Sequence, residues 1–143
     1  MQFHGTTYPD VKLPCNRENM TKLVEALESG TYEQGHNYLL TEDMGRRKYC
    51  CLGVACEISG LGQWRNYGGK CSYSAGNDYS QMHLVQPVKD WLGVDNRSIA
   101  LSGHAGHPFG VCTAADLNDS FEDNEIYDFR AIAARIREVY LTD

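Results

Sequence analysis

The sequence predicts an α+β domain, helix-rich, with a small antiparallel sheet or hairpin. Three observations carry this. Apolar residues recur at helical spacing at Met20, Leu23, Val24 and Leu27, and again at Phe129, Ile132, Ala133, Ile136, Val139 and Tyr140. Between these stripes, HNYLLTEDMGRRKY reads as two short strands around a turn at Glu42–Gly45. The chain has 143 residues, 42% hydrophobic and 22% charged, the size and balance of one globular domain.

Residues 1–14 are polar, contain Pro9 and Pro14, and read as an extended arm or edge strand. Asn16 caps a helix running to about Ser29, with Gly30 as its stop. After the hairpin, CCLGVACEIS (Cys50–Ser59) reads as a short helix ended by Gly60. It is apolar nearly all round except at Glu57, so it is buried on most sides. Gly53 inside it costs about 1 kcal/mol against Ala, which implies a close neighbour there. The run 60–80, rich in Gly, Tyr, Ser and Asn, reads as a long loop, functional or disordered, with its Trp and Tyr residues favouring at least partial order. Pro87 opens a short helix, VKDWL, stopped by Gly93. Asn96–Leu101 is a candidate strand, and SGHAGHPFG a second loose stretch. Thr113, with Asp116 three residues on, starts a helix through a near capping box and leads into Leu117, Asn118 and Asp119. Asp128 caps the last helix, Phe129–Leu141, whose Arg130, Arg135, Arg137 and Glu138 read as solvated surface. No repeat or interdomain linker is evident.

Thirteen Lys and Arg against 19 Asp and Glu give a formal net charge of -6. A general nucleic-acid or anionic-membrane binder needs a basic surplus, so neither direct nucleic-acid binding nor membrane association is expected. MQFHGTTYPD lacks the features of a secretory leader, and no stretch approaches the roughly 18 apolar residues of a membrane span. The six cysteines include the adjacent pair Cys50 and Cys51, which does not suit a disulfide framework. A reduced, cytoplasmic protein is expected, in the host cell cytoplasm if phage-encoded.

At CCLGVAC and LNDS the sequence resembles a group of small uncharacterised proteins from bacteriophages and actinobacteria. In that group a helix ending near Ser-Gly precedes a Cys-Cys-Leu-Gly-Val-x-Cys segment. A Trp-Leu-Gly helix, a Leu-Asn-Asp segment and a C-terminal amphipathic helix follow. Here these are LVEALESGTYEQG, Cys50–Cys56, Trp91–Gly93, Leu117–Asp119 and the helix from Phe129, in the same order across about residues 20–140. The 60–80 stretch and EDNEIYD are longer than in the group. The resemblance implies a phage or prophage context and draws attention to the Cys pair and the Asn-Asp pair; it brings no activity with it.

Four constellations bear on chemistry. Arg46, Arg47, Lys48 and Tyr49 precede the Cys50 helix, whose N-terminal N–H groups favour an anion, and Tyr32, Tyr38, Tyr67, Tyr73 and Tyr79 offer stacking faces. The plainer alternative is a solvated turn. Cys50, at a helix start beside cations, is a candidate nucleophile, with His104 or His107 as base and Asn118 or Asp119 orienting it. Against that, free cysteines such as Cys51 and Cys56 are usually small buried hydrophobes. His104, His107, Cys112 and Cys71 offer a zinc set, although H-x₂-H is tight and no C-x₂-C accompanies it. Asn118 and Asp119 suit ribose or a base edge, or else local turn hydrogen bonds.

The function expected is binding without turnover. The protein reads as a phage-associated accessory protein capturing an anionic small molecule, a nucleotide signal of host defence in its most specific form, or a host protein. Its binding residues would be Arg46, Arg47, Lys48, Tyr49, Cys50, Asn118 and Asp119. The alternatives are a cysteine-dependent hydrolase or transferase using Cys50, His104 and Asn118, and an acidic inhibitor of a host protein. No cofactor is implied. A homo-oligomer, most simply a two-fold dimer, is expected because Trp64, Tyr67, Tyr73 and Tyr79 need cover.

Overall fold

A computed structural model describes residues 13–101, 113–119 and 127–142. Helix α1 (Arg17–Glu28) starts where the Asn16 side chain accepts the Asn19 N–H, and it buries Met20, Leu23, Val24 and Leu27, the four residues of the sequence stripe. Strands β1 (Leu40–Asp43) and β2 (Arg46–Tyr49) form the expected hairpin. Its turn residues Met44 and Gly45 both have positive φ, 50° and 82°, as a tight hairpin turn that follows strand twist requires.

Helix α2 (Cys51–Ser59) uses Cys50 as its N-cap and buries every residue from Cys51 to Cys56. The cost of Gly53 has a clear reason. A Cβ there would lie 1.8 Å from the main-chain oxygen of Leu39, so the strand entry and the helix meet backbone to backbone.

The stretch 60–80 is not a loop. It forms β3 (Gln63–Tyr67), β4 (Lys70–Ala75) and β5 (Asp78–Ser80), an antiparallel meander turning at Gly68-Gly69 and Gly76-Asn77. Sheet order is β2-β1-β4-β3, with β5 pairing the same edge of β4 beyond the end of β1. The meander has few apolar residues because an antiparallel sheet can leave one face in water. Its inner positions, Cys71, Tyr73 and Ala75, are buried with Leu40 and Tyr49.

Helix α3 (Gln86–Leu92) begins with Pro in its first turn, ends at left-handed Gly93 and packs on β4. The expected strand at Asn96–Leu101 is reduced to an isolated bridge between Ala100 and Thr113. Helix α4 (Ala114–Asp119) has the reciprocal capping box: Thr113 N–H donates to the Asp116 carboxylate, and Asp116 N–H to the Thr113 hydroxyl. Helix α5 (Phe129–Ile136), capped by Asp128, continues into a π-helical turn, Arg137–Leu141. Its stripe from Phe129 to Tyr140 is buried, and α5 packs on α1, which also contacts α2. Arg137 is not simply solvated surface: its guanidinium donates twice to Glu28 on α1. No helix among the described residues is long and apolar enough to cross a membrane.

Candidate functional site

The three cations of the expected anion site each meet a neighbouring carboxylate. Arg46, Arg47 and Lys48 lie in β2, not in a turn. Arg46 pairs with Glu33, Lys48 lies 3.8 Å from the same carboxylate, and Arg47 donates to Glu42 at 3.1 Å. Tyr49 is buried and donates to Glu57. The N-terminus of α2 is closed as well: Gly53 N–H donates to Cys50 Sγ, and Cys51 N–H to Asn118 Oδ1.

Asn118, 1% exposed, uses its whole amide. Its Oδ1 accepts from Cys51 and Gln34, while Nδ2 donates to the Gly35 carbonyl and to Asp119 Oδ1. The same Asp119 oxygen accepts the N–H of Asn37, a residue with φ of 73°. Among the described residues the imidazole that meets this segment is that of His36, whose Nδ1 donates to the Asn118 carbonyl at 2.7 Å. The Asn-Asp pair therefore acts as a clasp between α4, the α2 N-terminus and the 34–37 segment, with no amide capacity left for a ligand.

The thiols are buried. The five cysteines among the described residues are free, and Cys50, Cys51, Cys56 and Cys71 lie in the core. Burial pushes the Cys50 thiol up to about 12 and holds Cys51 and Cys56 well above the ordinary thiol range, the opposite of what a nucleophile needs. Among the described residues no group of three His, Cys, Asp or Glu gathers as a metal set. His104, His107 and Cys112 lie outside the described residues, and Cys71 faces the core from β4.

The aromatics expected to need a partner divide between the two sheet faces. On the inner side the rings of Tyr32, Tyr49, Trp64 and Tyr73 meet edge-on in succession, with centroids 5.2, 6.2 and 4.8 Å apart. Glu57 accepts both the Trp64 indole N–H and the Tyr49 hydroxyl. Trp64 and Tyr73 thus fold back on their own domain. Tyr67 and Tyr79 remain 54% and 73% exposed.

These two tyrosines mark the one face that the sequence left unread. Strand alternation turns Tyr67, Arg65 and Gln63 of β3, Lys70, Ser72 and Ser74 of β4, and Tyr79 of β5 outward, away from the helices. Register sets Tyr67 beside Lys70, Arg65 beside Ser72, and both Gln63 and Tyr79 beside Ser74. A cleft of about 380 Å³ opens where β1 stops and β5 begins, lined by Tyr67, Ser72, Tyr79, Ser80 and Gln81. The Arg65 guanidinium carbon lies 5.9 Å from the Tyr67 ring centre, and Lys70 Nζ lies 5.1 Å from that of Tyr38. Among the described residues neither Arg65 nor Lys70 has a carboxylate partner, unlike the β2 cations.

Ser72 is the most informative member. It is only 5% exposed and lines the cleft, yet its hydroxyl makes no hydrogen bond among the described residues, whereas the Ser80 hydroxyl beside it accepts two backbone N–H groups. The turn dipeptides Gly68-Gly69 and Gly76-Asn77, spaced for strands of five and six residues, were the sequence signal for this face.

The family described as a domain of unknown function (DUF8296) matches residues 15–140. The chain belongs to this family. The DUF8296 match covers the clasp, the buried thiols and the outer sheet face alike. Comparison with curated proteins and with solved structures finds no match.

Proposed function

We propose that this DUF8296 protein binds a small anionic molecule with an aromatic ring, a nucleotide in its most specific form, on the outer face of β3, β4 and β5, without converting it. The observation that carries this reading is the unpartnered, nearly buried Ser72 hydroxyl between two exposed tyrosines. Buried polar groups are almost always satisfied, so an orphan hydroxyl in the floor of a cleft suits a ligand's donor or acceptor. Tyr67 and Tyr79 provide stacking faces for a base, and Arg65 and Lys70 supply charge for a phosphate. Buried, protonated thiols favour binding over cysteine chemistry.

The CCLGVAC and LNDS resemblance supports a phage or prophage setting, with action in the host cell cytoplasm on a nucleotide signal of host defence. A homo-oligomer also fits, because among the described residues β3 is an edge strand with most of its residues exposed.

The test is a thermal-shift and calorimetric panel of nucleoside mono-, di- and triphosphates. A ligand at a hundred times its Kd stabilises by about 2.7 kcal/mol, a rise of several degrees in Tm. Arg65→Ala and Tyr67→Ala, both on exposed positions, should remove the shift and keep the circular dichroism spectrum. A panel giving no shift in the folded parent protein would overturn the reading.

A further inference from the structure

A second depression opens along β3 next to the Ser72 cleft. It measures about 360 Å³ and is lined by Gln63, Trp64, Arg65 and Ser74. Ser72 lines the first hollow and Ser74 the second; as successive outward residues of β4 they lie roughly 7 Å apart along the strand. Arg65 joins them. It lines the second hollow, pairs in register with Ser72 in the floor of the first, and holds its guanidinium over Tyr67 at the wall of the first.

We infer that the site takes a dinucleotide, with one base in the tyrosine-walled cleft, the phosphate linkage on Arg65, and the second nucleoside in the hollow of Gln63 and Ser74. This rests on the nucleotide reading above and extends it. Each hollow lies within the size range of a small-molecule subsite, and their chemistry differs in the right order along the sheet. The first hollow is aromatic and suits a base face. The second is lined by Gln63 and Ser74 together with Trp64 and Arg65, and an amide and a hydroxyl side chain suit a base edge or ribose. The cation between them makes no ion pair with any described residue.

Overall charge limits the ligand's length. A chain of net charge -6 repels a long polyanion, while one or two phosphates at a local cationic spot are tolerated. The occupant is thus a short dinucleotide rather than a strand of nucleic acid.

The experiment is calorimetric titration of the full chain with four probes: adenosine monophosphate, linear adenylyl-adenosine, cyclic di-adenosine monophosphate, and a twelve-residue oligoadenylate. The guanosine counterparts are run alongside. At least one dinucleotide should bind about tenfold or more tighter than its mononucleotide, the worth of one added base contact. The linear and cyclic probes distinguish an RNA fragment from a cyclic messenger. Gln63→Ala should lower dinucleotide affinity several-fold and leave mononucleotide affinity unchanged. Equal affinity for mono- and dinucleotides would overturn the two-hollow inference and leave the nucleotide reading standing. Binding that tightens steadily with strand length would replace it with a single-strand surface. Absence of binding to any probe would overturn both.

Discussion

The side-chain oxygen of Asn118 accepts the backbone N–H of Cys51 at 3.2 Å, so the first turn of α2 is closed from inside the protein. That contact, with the Cys50 Sγ cap, uses the donors that an anion would otherwise meet. The proposed binding surface lies instead on the other face of the sheet, away from the α2 N-terminus.

Replacing Asn118 by Ala should be among the most damaging polar substitutions. It strands the Cys51 N–H and the Gly35 carbonyl in the core at once, and each buried orphan costs about 1–3 kcal/mol. Urea denaturation should register a loss of about 3 kcal/mol or more. A loss below about 1 kcal/mol would show that the clasp is dispensable.

Gly53→Ala should destabilise by about 3 kcal/mol or more, because the new methyl would meet the Leu39 carbonyl at 1.8 Å and backbone cannot move aside cheaply. Ala55, also buried on α2, is the control: Ala55→Gly should cost only about 1–2 kcal/mol from helix propensity and a small void.

The thiols give a signed alkaline prediction. Cys50 keeps its proton in the folded state up to about 12, while the unfolded thiol releases it near 9.0. A raised folded value contributes stability in full below the unfolded value and loses it as pH climbs through this interval. Melting temperature should fall between those limits, and Cys50→Ala should flatten part of the decline. At pH 8, Cys50, Cys51, Cys56 and Cys71 should resist Ellman's reagent until the protein unfolds. Fast labelling of Cys50 in the native protein would favour the hydrolase or transferase reading.

Asp78 gives the acidic counterpart. Arg97 donates to its carboxylate at 2.7 Å, and the N–H groups of Gln86 and Tyr79 donate to it as well, holding the group below the usual carboxylate range. A lowered folded value contributes stability above the unfolded value of 3.8 and loses it as pH falls through the folded one. Arg97→Ala should cost about 1 kcal/mol at neutral pH, and the difference from the parent should shrink on acidification toward pH 3. Because Asp78 holds β5 to α3, the same change should weaken any ligand leaning on Tyr79.

Much of the helical frame was legible because its signals are local. The Asn16 and Asp128 caps, the Thr113 and Asp116 box and the two apolar stripes each sit within a turn or two of sequence, and the structure repeats them residue for residue. The meander was not legible as strands, since its outward residues are polar, and consecutive glycines looked like loop filler rather than tight turns. The partners of the expected site residues were not legible for a non-local reason. Glu33 and Glu42 neutralise the β2 cations across strand and loop, and Asn118 reaches α2 from 67 residues away. Arg65 and Ser72 matter through register, which spacing along the chain does not display.

The most direct test of the outer sheet face is an amide chemical-shift titration of the ¹⁵N-labelled chain with the nucleotide that gives the largest thermal shift. The amides of Arg65, Tyr67, Ser72 and Tyr79 should move together and saturate with one dissociation constant, while those of Cys51 and Gly53 stay in place. Movement centred on residues 46–53, or no saturable movement on β3, β4 and β5, would contradict the assignment.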